Sequence, residues 1–398
     1  MYGSRHDVRG LLSDKTKGAR VAEHDVVVVG AGQGGVASAL ALKDRGVAAL
    51  VVDESAQVAS RWQARYDRLR LNSSRPTSHL PGRPYPKGTP MFPTRDQVVE
   101  HIQGCARDAG LDLLLGTRVQ RLSRTNGSWT VESGKGDIDA RQVVLATGYE
   151  NEPLVPEWNG RESFAGELIH SAEYRNADRF RSRRVVVVGP GCSGMEIAHD
   201  VATGGAAKVW LAVRTPPTII SRQGPGGLPG EWIGTLLLNF PTRFGNAFAR
   251  FGSRQDFGDL SAYGLPVPEE GLMTRFRRDG TVPSIVDKDV IEAVKEGKVE
   301  VVGAVESLDS AGVILTGGRR LEPDAIICAT GYRRALEPLV GHLGVLDDRG
   351  RPADVAPKPA APGLRFVGYT SRPGALGFMS RQAKRSAKAI AREVTSRR

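Results

Sequence analysis

The apolar positions of this chain fall into short unbroken runs set between glycine-rich turns and Ala/Leu-rich stretches of helical period. Val26-Val27-Val28-Val29 is apolar on both faces, the pattern of a strand in a parallel sheet buried under helices. The turn Gly30-Ala31-Gly32-Gln33-Gly34-Gly35 follows, then a helix to about Arg45, then a second strand through Leu50-Val51-Val52. The same unit returns as Val185-Val186-Val187-Val188, Gly189-Pro190-Gly191-Cys192-Ser193-Gly194, a helix to about Ala202 and the strand Val209-Trp210-Leu211-Ala212-Val213. A shorter echo links Val143-Val144-Leu145-Ala146-Thr147-Gly148-Tyr149 with Ile326-Ile327-Cys328-Ala329-Thr330-Gly331-Tyr332. In each copy an apolar strand ends in a small-residue turn. The pattern predicts an α/β fold with two dinucleotide-binding, Rossmann-like domains.

Other segments are punctuated differently. Alternation around 117–132 and 299–316 predicts short antiparallel strands, and 383–394 reads as a terminal basic helix. Residues 1–23 show no sustained periodicity and read as a flexible N-terminal arm. Pro and Gly thicken over 150–183 and again over about 215–285, marking a linker and a variable insertion. Within the insertion, Trp232, Ile233, Leu236, Leu237, Phe240, Phe244, Phe248 and Phe251 recur at roughly helical spacing, interrupted by Pro241. Packing against the domain is the ordinary reading of such a stripe. A lid, a dimer face and a membrane-facing stripe are the alternatives.

Composition narrows the class without choosing a function. A length of 398 residues suits two domains, and 40% apolar with 25% charged residues excludes a disordered or collagen-like chain. Lys and Arg number 55 against 44 acidic residues, a net charge of +11 that suits anionic partners. Anionic cofactors account for part of that charge. With no aromatic-basic recognition motif, a nucleic-acid partner is not expected. The three cysteines, Cys105, Cys192 and Cys328, have no spacing that suggests zinc or a redox dithiol. The first residues lack the apolar core of a secretory signal, and no apolar run approaches the ~18 residues that span a bilayer. A cytoplasmic protein with no integral membrane segment is expected.

The glycine turns carry the chemistry. Each follows a buried strand and opens a helix, so its backbone N–H groups and the positive helix end can meet a pyrophosphate. Gly30, Gly32, Gln33, Gly34 and Gly35 form the first set, and Gly189, Gly191, Ser193 and Gly194 the second. After the second strand of the first unit stands Asp53, placed to accept from ribose hydroxyls, so an unphosphorylated adenosine ribose is expected there. The equivalent place in the second unit holds Arg214, a cation suited to a 2′-phosphate, which favours NADPH over NADH. Two dinucleotides in one chain are most simply a hydride donor and a flavin acceptor. Without a dithiol, the electrons are left to go to oxygen or a quinone.

The chain resembles the class B flavin-dependent monooxygenases, and within them the flavin-containing monooxygenases with their YUCCA-like group. Phe164, Gly166, His170 and Tyr174 satisfy the family fingerprint F-x-G-x-x-x-H-x-x-x-[YF] between the two glycine turns. Arg61-Trp62, the run Tyr66-Asp67-Arg68-Leu69-Arg70-Leu71-Asn72, both Ala-Thr-Gly turns and Gly363-Leu364-Arg365-Phe366-Val367-Gly368 also match. The resemblance implies an NADPH domain, 179–316, inserted in a discontinuous FAD domain, 24–178 and 317–398. It implies cofactor contacts at Arg61, Trp62 and Val119, at Thr147, Gly148, Thr330 and Gly331 of the turns, and at Gly368. His170 is placed in the same set with a structural part in the linker; a general-base role is the alternative. The family reaction reduces FAD with NADPH and proceeds through a C4a-(hydro)peroxyflavin that must be kept from water. Asn72 is the catalytic candidate, because an amide can donate to the peroxide and accept from the nicotinamide amide without titrating.

The reaction implied is an NADPH- and O2-dependent oxygenation of a small molecule. Tyr174 favours N- or S-oxygenation, since Baeyer–Villiger relatives usually carry tryptophan there. YUCCA-like oxidative decarboxylation of an α-keto acid, Baeyer–Villiger insertion and a flavin reductase or oxidase are the alternatives. A homodimer is a candidate assembly.

Overall fold

The structure, a computed structural model, describes residues 21–396. Most of the expected arm lies outside the described residues; its last three, Val21 to Glu23, already belong to the first strand.

β1 (Val21–Val29), β2 (Leu50–Val52), β3 (Asp112–Leu114), β4 (Val119–Thr125), β5 (Ser128–Ser133) and β6 (Ile138–Leu145) form a sheet in the order β3-β2-β1-β6-β5-β4. The strand Leu364–Phe366 returns from near the C-terminus to lie parallel beside β6. Val26 and Val28 point to one face, against α1 (Gln33–Lys43) and the C-terminal helix with Ala383, Ala387 and Ile390. Val27 and Val29 point to the other, against Leu122, Trp129 and Phe366. Both faces are covered, which is why the run has no polar alternation.

The second sheet is wholly parallel. It contains β7 (Glu167–His170), β8 (Arg184–Val188), β9 (Lys208–Ala212), β10 (Val299–Val302) and β11 (Ala325–Cys328), in the order β10-β9-β8-β11-β7. α2 (Cys192–Thr203) packs Ile197 and Val201 against Val185 and Val187. Two strands depart here from the expected domain borders. β7 and β11, assigned by sequence to the FAD portion, pair with the second sheet, Ile326 opposite Val186 and Leu168. An apolar run records burial on two faces but not which of two similar sheets buries it. For the same reason β10 is a parallel edge strand, and the expected antiparallel strands begin only at Val305.

Between β9 and β10 the insertion builds a short parallel pair, Ile219–Ser221 with Ser284–Val286. It also contributes the helices α3 (Gly230–Leu237), α4 (Thr242–Phe257) and α5 (Leu272–Asp279). The C-terminal helix, α6 (Ala375–Thr395), begins eight residues before the basic stretch that announces it. Its first turns are drawn in against the Arg75–Ser78 segment, with Gly377 set so close to Thr77 that a Cβ would stand 1.9 Å from the Thr77 carbonyl oxygen.

Candidate active site

The two glycine turns have one construction. Gly30 and Gly189 have φ of +108° and +110°, and a Cβ on either would stand 2.6 Å from a carbonyl oxygen, that of Ala146 or Ala329. Each Ala-Thr-Gly turn is therefore the floor on which a glycine turn rests. Gly35 and Gly194 draw the helices onto the strands: a Cβ there would lie 1.6 and 1.8 Å from the oxygens of Gly30 and Gly189. Gly32 and Gly191 face open space, and neither α1 nor α2 has a side-chain N-cap. The first N–H groups of both helices are thus presented to an anion, and both cradles fit a pyrophosphate.

The first turn opens on a cavity of about 1270 Å³ lined by both domains and the insertion. Gly30, Gly32, Gln33, Gly34, Asp53, Arg61, Trp62, Asn72, Val119, Thr147, Gly148, Ser193 and Gly368 all line it. Asp53 accepts from Ala31 N–H at 2.6 Å and Ser55 N–H at 2.8 Å, which fixes the carboxylate and leaves lone pairs for a ribose. The Gln33 amide donates to Ser78 O at 3.2 Å, while its buried Oε1 has no partner and is open to a ligand donor. The Thr147 hydroxyl lies 2.7 Å from the Tyr369 hydroxyl. Exposed Arg61 pairs with Glu54 at 3.0 Å.

The remaining predicted residues stand elsewhere. Gly35 is spent on packing. Gly189, Gly191 and Gly194 form the second cradle outside the cavity lining, and Arg214 is exposed just beyond β9, with no ion-pair partner among the described residues. Thr330 donates to Leu154 O, and Leu154 N–H donates to Gly331 O at 3.0 Å, so this turn ties down the linker. His170, expected among the cofactor contacts, does not line the cavity and is 2% exposed. Its Nδ1 accepts from Ala172 N–H at 3.1 Å, so Nε2 carries the proton and donates to Gly331 O at 3.0 Å. Burial lowers its pKa. A ring with both nitrogens engaged by the backbone holds the turn. Tyr174 is also in the core, donating to Asp200 at 2.6 Å away from the cavity lining, so its identity does not shape the substrate.

Asn72 proves to be one end of a buried chain that sequence reasoning missed. Its Oδ1 accepts from Arg222 Nε at 3.3 Å. Arg222, 3% exposed, also donates to Asp287 at 2.5 Å and to Glu196, whose second oxygen accepts from the Tyr66 hydroxyl at 2.7 Å. Because an arginine only donates, the Asn72 carbonyl oxygen must be the amide atom that faces Arg222, which fixes the orientation of the amide. Burial pushes the Glu196 carboxyl above its ordinary range, against the opposing pull of Arg222 and of the Tyr66 hydroxyl. A carboxylate between Met195 and Ile197 on a buried helix was the available signal. Arg222 sits in the irregular insertion and gave none.

Among the other charged residues that line the cavity, Glu231 and Arg372 each keep a buried polar atom without a partner. Glu231, 4% exposed, accepts from Ser74 N–H at 2.6 Å and from the Thr77 hydroxyl at 3.0 Å, with its other oxygen unpartnered. Arg372 packs over the Phe378 ring at 4.3 Å with no carboxylate in ion-pair range among the described residues, and its buried Nε has no partner. Burial, with Arg381 nearby, lowers its pKa.

A family profile described as pyridine nucleotide-disulphide oxidoreductase matches residues 27–223. All three cysteines are free thiols. Indole-3-pyruvate monooxygenase YUCCA1 of Oryza sativa subsp. japonica is 35% identical over 89% of this chain and 88% of its own length. Probable indole-3-pyruvate monooxygenase YUCCA3 of Arabidopsis thaliana is 30% identical over 93% of this chain and 86% of its own. The solved flavin-containing monooxygenase from Stenotrophomonas maltophilia superposes with a TM-score of 0.69 at 25% identity, covering 95% of this chain and 99% of that one. With two dinucleotide cradles in one chain and this kinship over most of its length, this chain belongs to the class B flavin-dependent monooxygenases, using FAD, NADPH and O2 to oxygenate a small molecule.

Proposed function

We propose that the substrate is an α-keto acid with a flat apolar side chain, converted by oxidative decarboxylation. The observation that carries this reading is Arg372, an arginine without a carboxylate partner in a largely apolar cavity. A desolvated guanidinium with a free donor is suited to a substrate carboxylate. The kinship with relatives named as indole-3-pyruvate monooxygenases supports the same choice. The balance is one α-keto acid, O2, NADPH and a proton giving the acid one carbon shorter, CO2, water and NADP+.

A bound FAD would supply hydride acceptance from NADPH and transfer of one atom of O2 to the substrate. The protein supplies position and dryness. The Gly30–Gly35 turn and the α1 N-terminus hold the FAD pyrophosphate, Asp53 the ribose, Val119 the adenine side and Trp62 the ring side. Gly189, Gly191, Ser193 and Gly194 hold the NADPH pyrophosphate, and Arg214 its 2′-phosphate. Asn72 donates to the oxygen on which negative charge develops, with Arg222 fixing the amide. Ile233, Leu237, Leu238 and Phe248 line the cavity from the insertion side and help exclude water. Every group in this scheme comes from one chain, so a homodimer is not required. A cytoplasmic setting would supply NADPH and keep the thiols reduced.

The test is NADPH consumption over arylpyruvates, thioethers and tertiary amines, with CO2 and peroxide measured alongside. Coupled CO2 release from arylpyruvates is expected, and Arg372→Gln should raise KM for them by about tenfold or more. Coupled turnover of thioethers or amines with no CO2 from any keto acid would refute the reading.

A further inference from the structure

Ile233 and Leu237 turn inward, but the rest of the insertion's apolar stripe is left largely in solvent. Trp232, Leu236, Phe240, Phe244, Phe248 and Phe251 are 41%, 59%, 40%, 51%, 39% and 62% exposed. They run along α3 and α4, and the rings of Phe240 and Phe244, 5.3 Å apart, carry the stripe across the break at Pro241. α4 is held to the protein by a narrow seam: only Gly245 and Phe257 are buried, with Gly245 set against Met273 of α5. Clustered apolar exposure of this kind marks a surface that meets something other than water.

Charge identifies the occupant. We propose that α3 and α4 form a docking face for an anionic lipid surface. Phe244, Phe248 and Phe251 follow i, i+4, i+7 spacing, and the exposed Arg243, Arg250 and Arg254, at i, i+7, i+11, share a neighbouring row of the helix. None of the three arginines has a carboxylate in ion-pair range among the described residues. The acids of these two helices are withdrawn: Glu231 is buried, and half-buried Asp256 lies 3.8 Å from Lys288. Aromatic anchors beside unpaired arginines are what a helix lying in a headgroup layer requires. A second copy of the chain suits the face poorly, because a two-fold axis would oppose the arginine rows to themselves. Phe248 belongs both to the stripe and to the cavity lining, so the docking face adjoins the active-site cavity.

The holoenzyme is sedimented with vesicles of phosphatidylcholine plus phosphatidylglycerol, and with phosphatidylcholine alone. Binding is expected to the anionic vesicles and is weakened in about 1 M salt, where screening acts within roughly 3 Å. Phe244→Ser with Phe251→Ser should lower the partition at least about tenfold. Arg243→Gln with Arg250→Gln and Arg254→Gln should lower it by roughly a hundredfold. Circular dichroism and flavin absorbance certify the fold of each variant. A wild-type protein that stays in the supernatant with both vesicle types, or sediments equally with both, overturns the proposal. So does a dimer in light scattering that the Phe variants convert to monomer, which would give the face to a second copy.

Discussion

The turn after β1 and the turn after β8 share a backbone, yet the first is roofed and the second stands open. Around the first, residues 60–73, the start of α6 and the insertion close a common cavity, and Met379 Sδ lies 3.1 Å from where a Gly34 Cβ would be. At the second, Gly189, Gly191 and Gly194 stay off that lining, and Arg214 waits at the surface. A glycine turn confers affinity for a pyrophosphate, while its surroundings decide how long the ligand stays. A roofed cradle suits a cofactor that remains through turnover, and an open one suits a cofactor that is exchanged. The chain Tyr66–Glu196–Arg222–Asn72 is where the two regions are joined.

The largest effect is expected at that junction. Arg222→Gln leaves Glu196 buried without its cation, at about 3–5 kcal/mol of stability, and removes the donor that orients Asn72. The variant should melt well below the parent and release more peroxide per NADPH consumed. Unchanged coupling would show that Asn72 is not oriented through Arg222. The next comparison sets the cradles against each other. Gly35→Ala and Gly194→Ala press equally impossible Cβ atoms onto carbonyl oxygens, at about 1–3 kcal/mol or more each. Gly35→Ala should purify colourless, whereas Gly194→Ala should stay yellow and resist reduction by NADPH. Equal loss of flavin from both would erase the distinction between a roofed and an open site.

Arg214→Gln should lower kcat/KM for NADPH by about tenfold and leave NADH unaffected; equal effects would detach Arg214 from the 2′-phosphate. The smallest effect concerns pH. Burial lowers the pKa of His101, His170 and His199. Unfolded, each histidine takes up its proton near about pH 6.5, and folded only at lower pH. Between those points the unfolded chain binds more protons, so stability is full above about 6.5 and falls as pH drops below it. His170→Gln keeps a donor for Gly331 and should flatten part of this decline in a series of melting temperatures.

Much of the first region was legible because its signals are local. Val26 to Val29, the Gly30 turn and Asp53 follow each other directly, and local sterics decide such turns. The Ala-Thr-Gly echo was visible too, but its reason was not, since Ala146 meets Gly30 only after the sheet has formed. His170 was legible as a motif and misplaced as a contact: spacing shows a histidine at a strand end, not which neighbour β11 presents to it. Glu196 and Arg222 were passed over because a buried ion pair has two halves far apart in the chain, and neither half means much alone. The insertion stripe was seen, yet the ordinary expectation of packing failed for six of its side chains, since periodicity does not reveal whether a partner surface exists.

Hydrophobic runs and glycine spacing by themselves determined two strand–turn–helix cradles and the dinucleotide chemistry they serve, because backbone conformation at a turn depends on the residues within it. Tertiary structure decided which sheet takes β7 and β11, which cradle is enclosed, and that Asn72 meets Arg222 at the cavity. Those outcomes depend on groups brought together across long stretches of chain, where burial and hydrogen-bond partners exist only once the sheets have packed.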